Sequence, residues 1–397
     1  MILSEFVNQL EPSLTLKISA KAKDMKRQGI SVIDFSVGEP DFLTPDNVKS
    51  AGIEAIKQNY TKYTQSDGIP ELKQAIIARL KEDDNLVYEP KEIIVSTGAK
   101  TSIYLALAAT INPGEGVIVP KPYWVSYPEQ VKLLGGHPVT VDTKESNNFV
   151  MTPDELAQKI DDRTKAVILN NPSNPTGSAY TPEQLYAVLQ IAHKHKLFII
   201  SDEIYSKITY QDYVFKRVVS VMPEIKSHAV IIDGASKAYS MTGWRIGYTA
   251  GPENIIQAMK KIQDHVTSNP VSISQKAALE AFSCDQSFLN ERTMEFQKRR
   301  DYLVQAINKI PGMKANTPQG AFYLFPNVKS LINRKHPNGT IRSSLDLCDY
   351  LLEKAHVALV PGEGFGASDN IRISFATSMD NLQEGVRRIA SAIEQLQ

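Results

Sequence analysis

The sequence predicts an α/β protein: a large domain with a mostly parallel central sheet flanked by helices, plus a smaller α+β domain built from both chain ends. Three observations carry that expectation. Short β-branched runs alternate with amphipathic segments through the middle of the chain, the pattern of a parallel sheet buried on both faces. After Pro270 the pattern changes to a long charged segment followed by short strands mixed with helices. The chain has 397 residues, 42% apolar and 22% charged, which is enough for two packed cores.

The strands read, in order, as Glu92–Ser96, Gly116–Pro120, Ala166–Asn170, Leu197–Ser201, Ala229–Asp233 and Ile246–Ala250. Between them, Lys100–Thr110 and Thr181–Lys196 have helical periodicity. Thr181-Pro-Glu-Gln184 gives a cap residue and then proline at the first helical position, and Thr152-Pro-Asp-Glu155 repeats it. A charged helix from about Ser287 to Lys309 ends at Pro311-Gly312, and Ala321–Phe325 and Asn370–Phe375 read as strands of the smaller unit. The glycine-rich run Gly362–Gly366 precedes no clear helix and reads as a loop. The resulting division is 1–43 as an N-terminal arm and part of the small domain, 44–286 as the large domain and 287–397 as the rest of the small one.

Composition narrows the function classes. Lys plus Arg and Asp plus Glu are equal at 44 each, which argues against a nucleic-acid binder. The two cysteines, Cys284 and Cys348, lack metal-like spacing and read as buried reduced thiols, fitting a reducing compartment. His193 and His195 end a polar helix and read as solvated; no metal site is expected. The N-terminus lacks the pattern of a signal peptide, and no run approaches the ~18 apolar residues of a membrane span, so the expected location is the cytoplasm with no membrane partner.

Ligands of open α/β sheets bind beyond the carboxyl ends of the strands. Unusual residues fall there: Gly98 to Lys100, Trp124, Asn174, Asp202, Tyr205 and Lys237. The stretch Ser236-Lys-Ala-Tyr-Ser-Met-Thr-Gly-Trp-Arg245 is the most informative. A lysine at the end of a buried strand is costly to desolvate. It makes chemical sense if the amine forms a Schiff base with an aldehyde cofactor. Arg245 then has a phosphate to grip with its planar fork. Pyridoxal 5'-phosphate carries both groups.

The other needs of that cofactor each have a candidate. Asp202, ending an apolar strand, could hold the pyridine nitrogen protonated; it could equally be a helix cap. Asn174, in Asn170-Asn-Pro-Ser-Asn-Pro-Thr-Gly177, could bond the ring oxygen or simply shape a turn. Tyr205 could donate to the same oxygen. Trp124 could stack on the ring or fill a core. Gly98, Ala99 and Lys100 open a helix whose N–H groups form a phosphate cup. Arg372, inside an apolar strand, could clamp a substrate carboxylate or face solvent.

With these residues in view the chain resembles the class-I aminotransferases of fold type I, nearly end to end, and within them the bacterial aspartate branch. The matching stretches are Ser36–Asp41, Lys62–Thr64 with Gly68–Leu72, Pro122–Trp124, Asn170–Gly177, Ser201–Tyr205 and Ser236–Tyr248. The resemblance implies that Lys237 is the Schiff-base lysine and proton shuttle. It adds Ser236 to the phosphate set, and Gly38 to Arg372 on the substrate's α-carboxylate. It implies that Tyr63 reaches the phosphate of a neighbouring subunit in a homodimer. It makes Lys100 a recogniser of the distal carboxylate, with Ser13 and Thr15 near that pocket. Relatives that act on prephenate carry a lysine where this chain has Glu11, which argues against prephenate. Gly234 stands where many relatives supply a phosphate-binding hydroxyl. The expected reaction is ping-pong transfer of an amino group between L-aspartate and 2-oxoglutarate. The rivals are another class-I aminotransferase (for alanine, aromatic substrates or prephenate), a related fold-type-I lyase, and a regulator that binds pyridoxal phosphate without catalysis.

Overall fold

A computed structural model of the chain describes residues 8, 10, 14–211, 213–337 and 339–397, without the side chains of residues 15 and 16. Fourteen strands occur among them. The first, β1 (Ile33–Asp34), belongs to the N-terminal part. Then come β2 (Ile93–Ser96), β3 (Gly116–Lys121), β4 (His137–Asp142), β5 (Thr164–Asn170), β6 (Phe198–Asp202), β7 (Ala229–Gly234) and β8 (Gly247–Ala250). These last seven form one sheet in the order β2-β8-β7-β6-β5-β3-β4. Six strands share a direction and β8 alone opposes them, pairing antiparallel with both β2 and β7.

Alternation along these strands explains why helices cover both faces. Ile93, Val95, Val167, Leu169, Ile199 and Ile231 point into one buried cluster. Ile94, Ala166, Ile168, Ile200, Val230 and Ile232 point into another on the opposite face. Each fully buried branched side chain contributes about 1.5–3 kcal/mol of transfer free energy, so the sheet is the rigid part of the molecule.

β4 was not expected. It lies at the sheet edge, opens His137-Pro138, and is mostly half-exposed, so its sequence lacks the continuous apolar run of its neighbours. The short helices also hold where they were read: Thr152 and Thr181 each cap a helix in a reciprocal capping box with Glu155 and Gln184.

The smaller unit has its own core around Phe35, Phe296, Leu303, Phe322, Leu347, Ile371, Ile373, Leu382 and Ile389. Its strands are β9 (Tyr323–Leu324), β10 (Lys335–His336), β11 (Gly339–Thr340), β12 (Val357–Ala358), β13 (Val360–Pro361) and β14 (Ile371–Ser374). β13, β14 and β9 form an antiparallel sheet, and β1 pairs with β12, which ties the two chain ends together. The helix Ser287–Ile307 links the units, with Leu289 in the large core and Phe296, Leu303 and Ile307 in the small one. The run Gly362–Phe365, expected as a loop, is a short 3-10 turn. Cys348 is buried, but Cys284 is only half-buried, because it caps the end of a helix rather than facing the core. No helix among the described residues is long and apolar enough to cross a membrane.

Candidate active site

The carboxyl ends of β5, β6 and β7 open onto a cavity of about 320 Å³ whose far wall is β9 and β14. Among its lining residues, four are cationic (Lys100, Lys237, Arg245 and Arg372) and one is a carboxylate, Asp202. That imbalance makes the cavity a receptor for anions.

Lys237 follows β7 on the loop that leads back to β8. Its Nζ donates to the Gly38 carbonyl at 2.6 Å. Burial pulls its pKa down to about 8, and the nearby Arg372 and Arg245 add to that, outweighing Glu39 and Asp202. Its remaining exposure faces the cavity. The amine therefore gives up its proton far more readily than a surface lysine.

Asp202 ends β6 and is 4% exposed. Tyr127 Oη donates to its Oδ2 at 2.6 Å and the Ile204 amide to its Oδ1 at 3.2 Å. Burial raises its pKa to about 6 despite those donors. A buried carboxylate whose charge lacks full compensation is poised to pair with a cation. β5 and β6 bring Asn170 directly opposite Asp202. Asn170 Nδ2 donates to the Asp202 carbonyl at 3.0 Å, while its Oδ1 accepts from the Asn174 amide at 2.8 Å. The strand register thus places the acid and the asparagine loop together.

The helix Ala99–Thr110 begins at the end of β2, with Gly98 as its cap residue. Gly98 has φ 93°, and a Cβ there would strike the Arg245 guanidinium, so only glycine lets the arginine lie over the helix start. Arg245 itself has φ 58° and is fixed by its Nη1, which donates to the Thr242 carbonyl at 2.8 Å. The free N–H groups of the first helical turn and the guanidinium together form an anion cradle. Beside it, Lys100 holds its ammonium 4.8 Å from the centre of the Trp124 ring. Partial burial and Arg245 lower the Lys100 pKa. Trp124 meets Tyr127 edge-to-face at 5.3 Å.

On the opposite wall Arg372, from β14, is 2% exposed. Its Nη1 donates to Asn174 Oδ1 at 3.0 Å and its Nη2 to the Ser36 carbonyl at 2.7 Å. The guanidinium lies over the Tyr323 ring at 4.5 Å and 5.3 Å from that of Phe365. Among the described residues its Nε has no partner. Burial lowers its pKa, and among the described residues no carboxylate offsets that shift. Tyr205 Oη and Tyr323 Oη are 2.9 Å apart, and both residues line the cavity.

The structure therefore brings Gly38, Ala99, Lys100, Trp124, Asn174, Asp202, Tyr205, Ser236, Lys237, Arg245 and Arg372 to one cavity, with Gly98 behind Arg245. Tyr63 is not among its lining residues and is 90% exposed. The backbone around Tyr63 is firmly held: Ser272 Oγ donates to the Lys62 carbonyl at 2.7 Å, and Gln275 Nε2 to Thr64 Oγ1 at 3.0 Å. Ser13 and Glu11 lie outside the described residues; Thr15 is in the helix Leu14–Arg27, its side chain not described. At Gly234 a Cβ would sit 2.7 Å from the Ile246 carbonyl and 2.8 Å from Gly247 Cα, so the β7–β8 pairing leaves no room for a hydroxyl side chain there.

Sequence reasoning missed Tyr127, Tyr323, Asn170 and Thr242 as lining residues. Neither tyrosine carries a sequence signal: Tyr127 is marked only by its bond to the buried Asp202, and Tyr323 only by its contacts with Tyr205 and Arg372. Asn170 carried a signal, a polar residue closing an apolar strand.

Residues 30–389 match the family described as aminotransferase class I and II. The aspartate aminotransferase of Geobacillus stearothermophilus is 48% identical over 394 residues, covering 99% of both chains. The aspartate/prephenate aminotransferase of Nitrosomonas europaea is 44% identical, covering 99% of this chain and all of that one. The crystal structure of an aspartate aminotransferase from Rhizobium meliloti superposes with a TM-score of 0.96 at 42% identity, over the whole of both chains.

Proposed function

The chain belongs to the class I and II aminotransferases, whose cofactor is pyridoxal 5'-phosphate, and on that premise we propose that it moves an amino group between L-aspartate and 2-oxoglutarate. The observation that carries the proposal is the cavity's charge: one acid and four cations, among them a lysine whose pKa is depressed to about 8. A cofactor phosphate and a substrate with two carboxylates together use that excess.

The residues present fit the cofactor. Lys237 Nζ would carry its aldehyde carbon. Asp202 Oδ2, oriented by Tyr127, would hold the ring nitrogen. Asn174 and Tyr205 would contact the ring oxygen, and Trp124 would lie against the ring. Gly98, Ala99, Lys100, Ser236 and Arg245 would hold the phosphate through the helix start and the guanidinium. When bound, the cofactor supplies an electron-poor ring that accepts the electron pair left as the substrate Cα loses its proton.

The protein's own work is binding, orientation and proton movement. Arg372 presents to the α-carboxylate a guanidinium already fixed by Asn174, Ser36 and Tyr323, so little rotamer freedom remains to be lost. Gly38 borders the same end of the cavity. Lys100 offers the distal carboxylate a half-desolvated ammonium, with Ser13 and Thr15 assigned to the same pocket. Lys237 Nζ would take the Cα proton as general base and, as general acid, deliver it to the carbon that was the cofactor's aldehyde, a role suited to its lowered pKa. The two half-reactions use the same groups in reverse, giving ping-pong kinetics.

The site belongs to a homodimer in this reading, with Tyr63 reaching the partner's phosphate. Its support is a fully exposed tyrosine on a firmly anchored segment, with exposed Ile53, Ile56 and Val271 on the flanking elements. The location is cytoplasmic, consistent with two free cysteines. A steady-state screen of aspartate, alanine, tyrosine and kynurenine against 2-oxoglutarate, and of prephenate with an amino donor, tests the substrate. Aspartate should lead in kcat/KM by at least about tenfold. Equal or better use of alanine, tyrosine or prephenate overturns the assignment.

A further inference from the structure

Arg217 lies outside the cavity and in none of the motifs that mark it. It heads the large side chains that are fully buried among the described residues, 2% exposed. A guanidinium in such a place is tolerable only if its N–H groups find acceptors. Its fork is divided among carboxylates from three elements. Nε donates to Asp84 Oδ2 at 2.7 Å, at the end of the helix Pro70–Asp84. Nη1 donates to Glu203 Oε2 at 2.8 Å, and Nη2 to Asp233 Oδ2 at 3.1 Å and Ser206 Oγ at 3.4 Å. The acids are held in turn: Ser206 Oγ donates to Asp233 Oδ2 at 2.7 Å, Ser201 Oγ to Glu203 Oε1 at 2.8 Å, and the Val218 amide to the same Oε1 at 3.2 Å.

The sequence positions of these partners matter more than their number. Glu203 follows Asp202, Ser206 follows Tyr205, and Asp233 lies in β7 four residues ahead of Lys237. β6 and β7 are adjacent and parallel, with Asp202 opposite Ile232. One side chain therefore grips, from behind the cavity, both strand ends that deliver the acid and the amine.

We propose that Arg217 is a positioning residue for the amino transfer: it staples the ends of β6 and β7 and so sets the spacing of Asp202 and Lys237 around a shared ligand. This rests on the cofactor reading given above. Arg217 also offsets the charge of Glu203 and Asp233, and the latter already pushes the Asp202 pKa upward. Losing the cation leaves Asp202 a weaker partner for a positively charged ring nitrogen.

The test uses the full-length protein with pyridoxal phosphate, comparing wild type with Arg217→Lys and Arg217→Met. Three readouts accompany turnover: the apparent cofactor Kd by equilibrium dialysis, the pH midpoint of the bound cofactor's visible absorbance, and the thermal midpoint of the apoprotein. Arg217→Lys keeps the charge and loses the fork; it should weaken cofactor binding about tenfold and lower kcat more than it raises KM. Arg217→Met should weaken binding further and move the absorbance midpoint upward by more than about 0.3 pH unit. If the lysine variant melts earlier yet keeps its cofactor Kd within about twofold and its kcat and spectrum unchanged, Arg217 only stabilises the fold and the proposal is overturned. Should Arg217→Met not fold, Arg217→Lys decides alone. A wild-type protein that shows no bound-cofactor absorbance overturns the underlying reading and this proposal with it, an outcome distinct from a wild type that binds and variants that match it.

Discussion

Arg217 and Arg372 are both arginines with 2% of their surface exposed, yet their surroundings are opposite. At the ends of β6 and β7, Arg217 meets Asp84, Glu203 and Asp233; against the cost of burial, Tyr248 and these acids raise its pKa well above the ordinary value. Across the cavity, Arg372 meets a carbonyl, an amide oxygen and two aromatic faces but, among the described residues, no carboxylate, and burial lowers its pKa. The first arginine has its counter-ions built into the fold. The second has an unpartnered Nε and a side open to the cavity, which is the condition of a cation reserved for an anion from outside. Burial alone does not separate structural from ligand-binding charges; the identity of the acceptors does.

That contrast can be broken by experiment. Its largest expected effect is on catalysis: Arg372→Ala should lower kcat/KM for aspartate by about 10³-fold, as loss of a bidentate charged contact does, while the apoprotein loses no more than about 1 kcal/mol of stability. Unchanged aspartate kinetics would remove the carboxylate clamp. The mirror-image effect is on folding, where Arg217→Met should cost about 3–5 kcal/mol in urea unfolding, because it strands three buried acids. A loss below about 1 kcal/mol would show that the cluster neutralises itself by protonation.

A third effect sharpens the comparison by adding Lys237, another cation of the cavity. Folded apoprotein holds the Lys237 proton less tightly than the unfolded chain, about 8 against 10.5. Unfolded molecules therefore bind more protons between those values, and stability from this group rises as pH climbs from about 8 to about 10.5; below about 8 the penalty is complete. Lys237→Met apoprotein should be more stable than wild type by roughly 1–3 kcal/mol at pH 7, with the gap closing by about pH 10.5. Parallel stability profiles for the two proteins would contradict the depressed pKa. The smallest effect concerns Lys100: Lys100→Ser should reduce the preference for aspartate over alanine by about tenfold with little change in stability. A constant ratio would exclude it from the distal-carboxylate pocket.

How much of this was legible beforehand follows the same physics. β2, β3, β5, β6, β7 and β8 announce themselves as apolar runs because both faces are buried. β4 does not, since an edge strand with one open face loses that signature. The reversal of β8 leaves no mark in composition; it follows from the twelve-residue excursion, Ala235–Ile246, that returns Lys237 and Arg245 to the neighbouring strand. Within the site, Asp202 and Lys237 stand out because a charged residue at or just beyond the end of an apolar strand needs a reason, and Asn174 because two Asn-Pro turns frame it. Arg217 gives no such signal: nothing in Phe215-Lys-Arg-Val218 sets this arginine apart from a surface cation, and its three acids come from distant positions in the chain. Arg372 and Asn174, 198 residues apart, meet only when the two units pack.

The central claim is that Lys237 is the amine that binds the cofactor's aldehyde. Treating the pyridoxal-phosphate-loaded protein with sodium borohydride makes that bond permanent, and peptide mapping by mass spectrometry then locates it. The account predicts the phosphopyridoxyl group on Lys237 and its absence from Lys237→Ala; its attachment to Lys100 or any other lysine, with Lys237 unmodified, would contradict it.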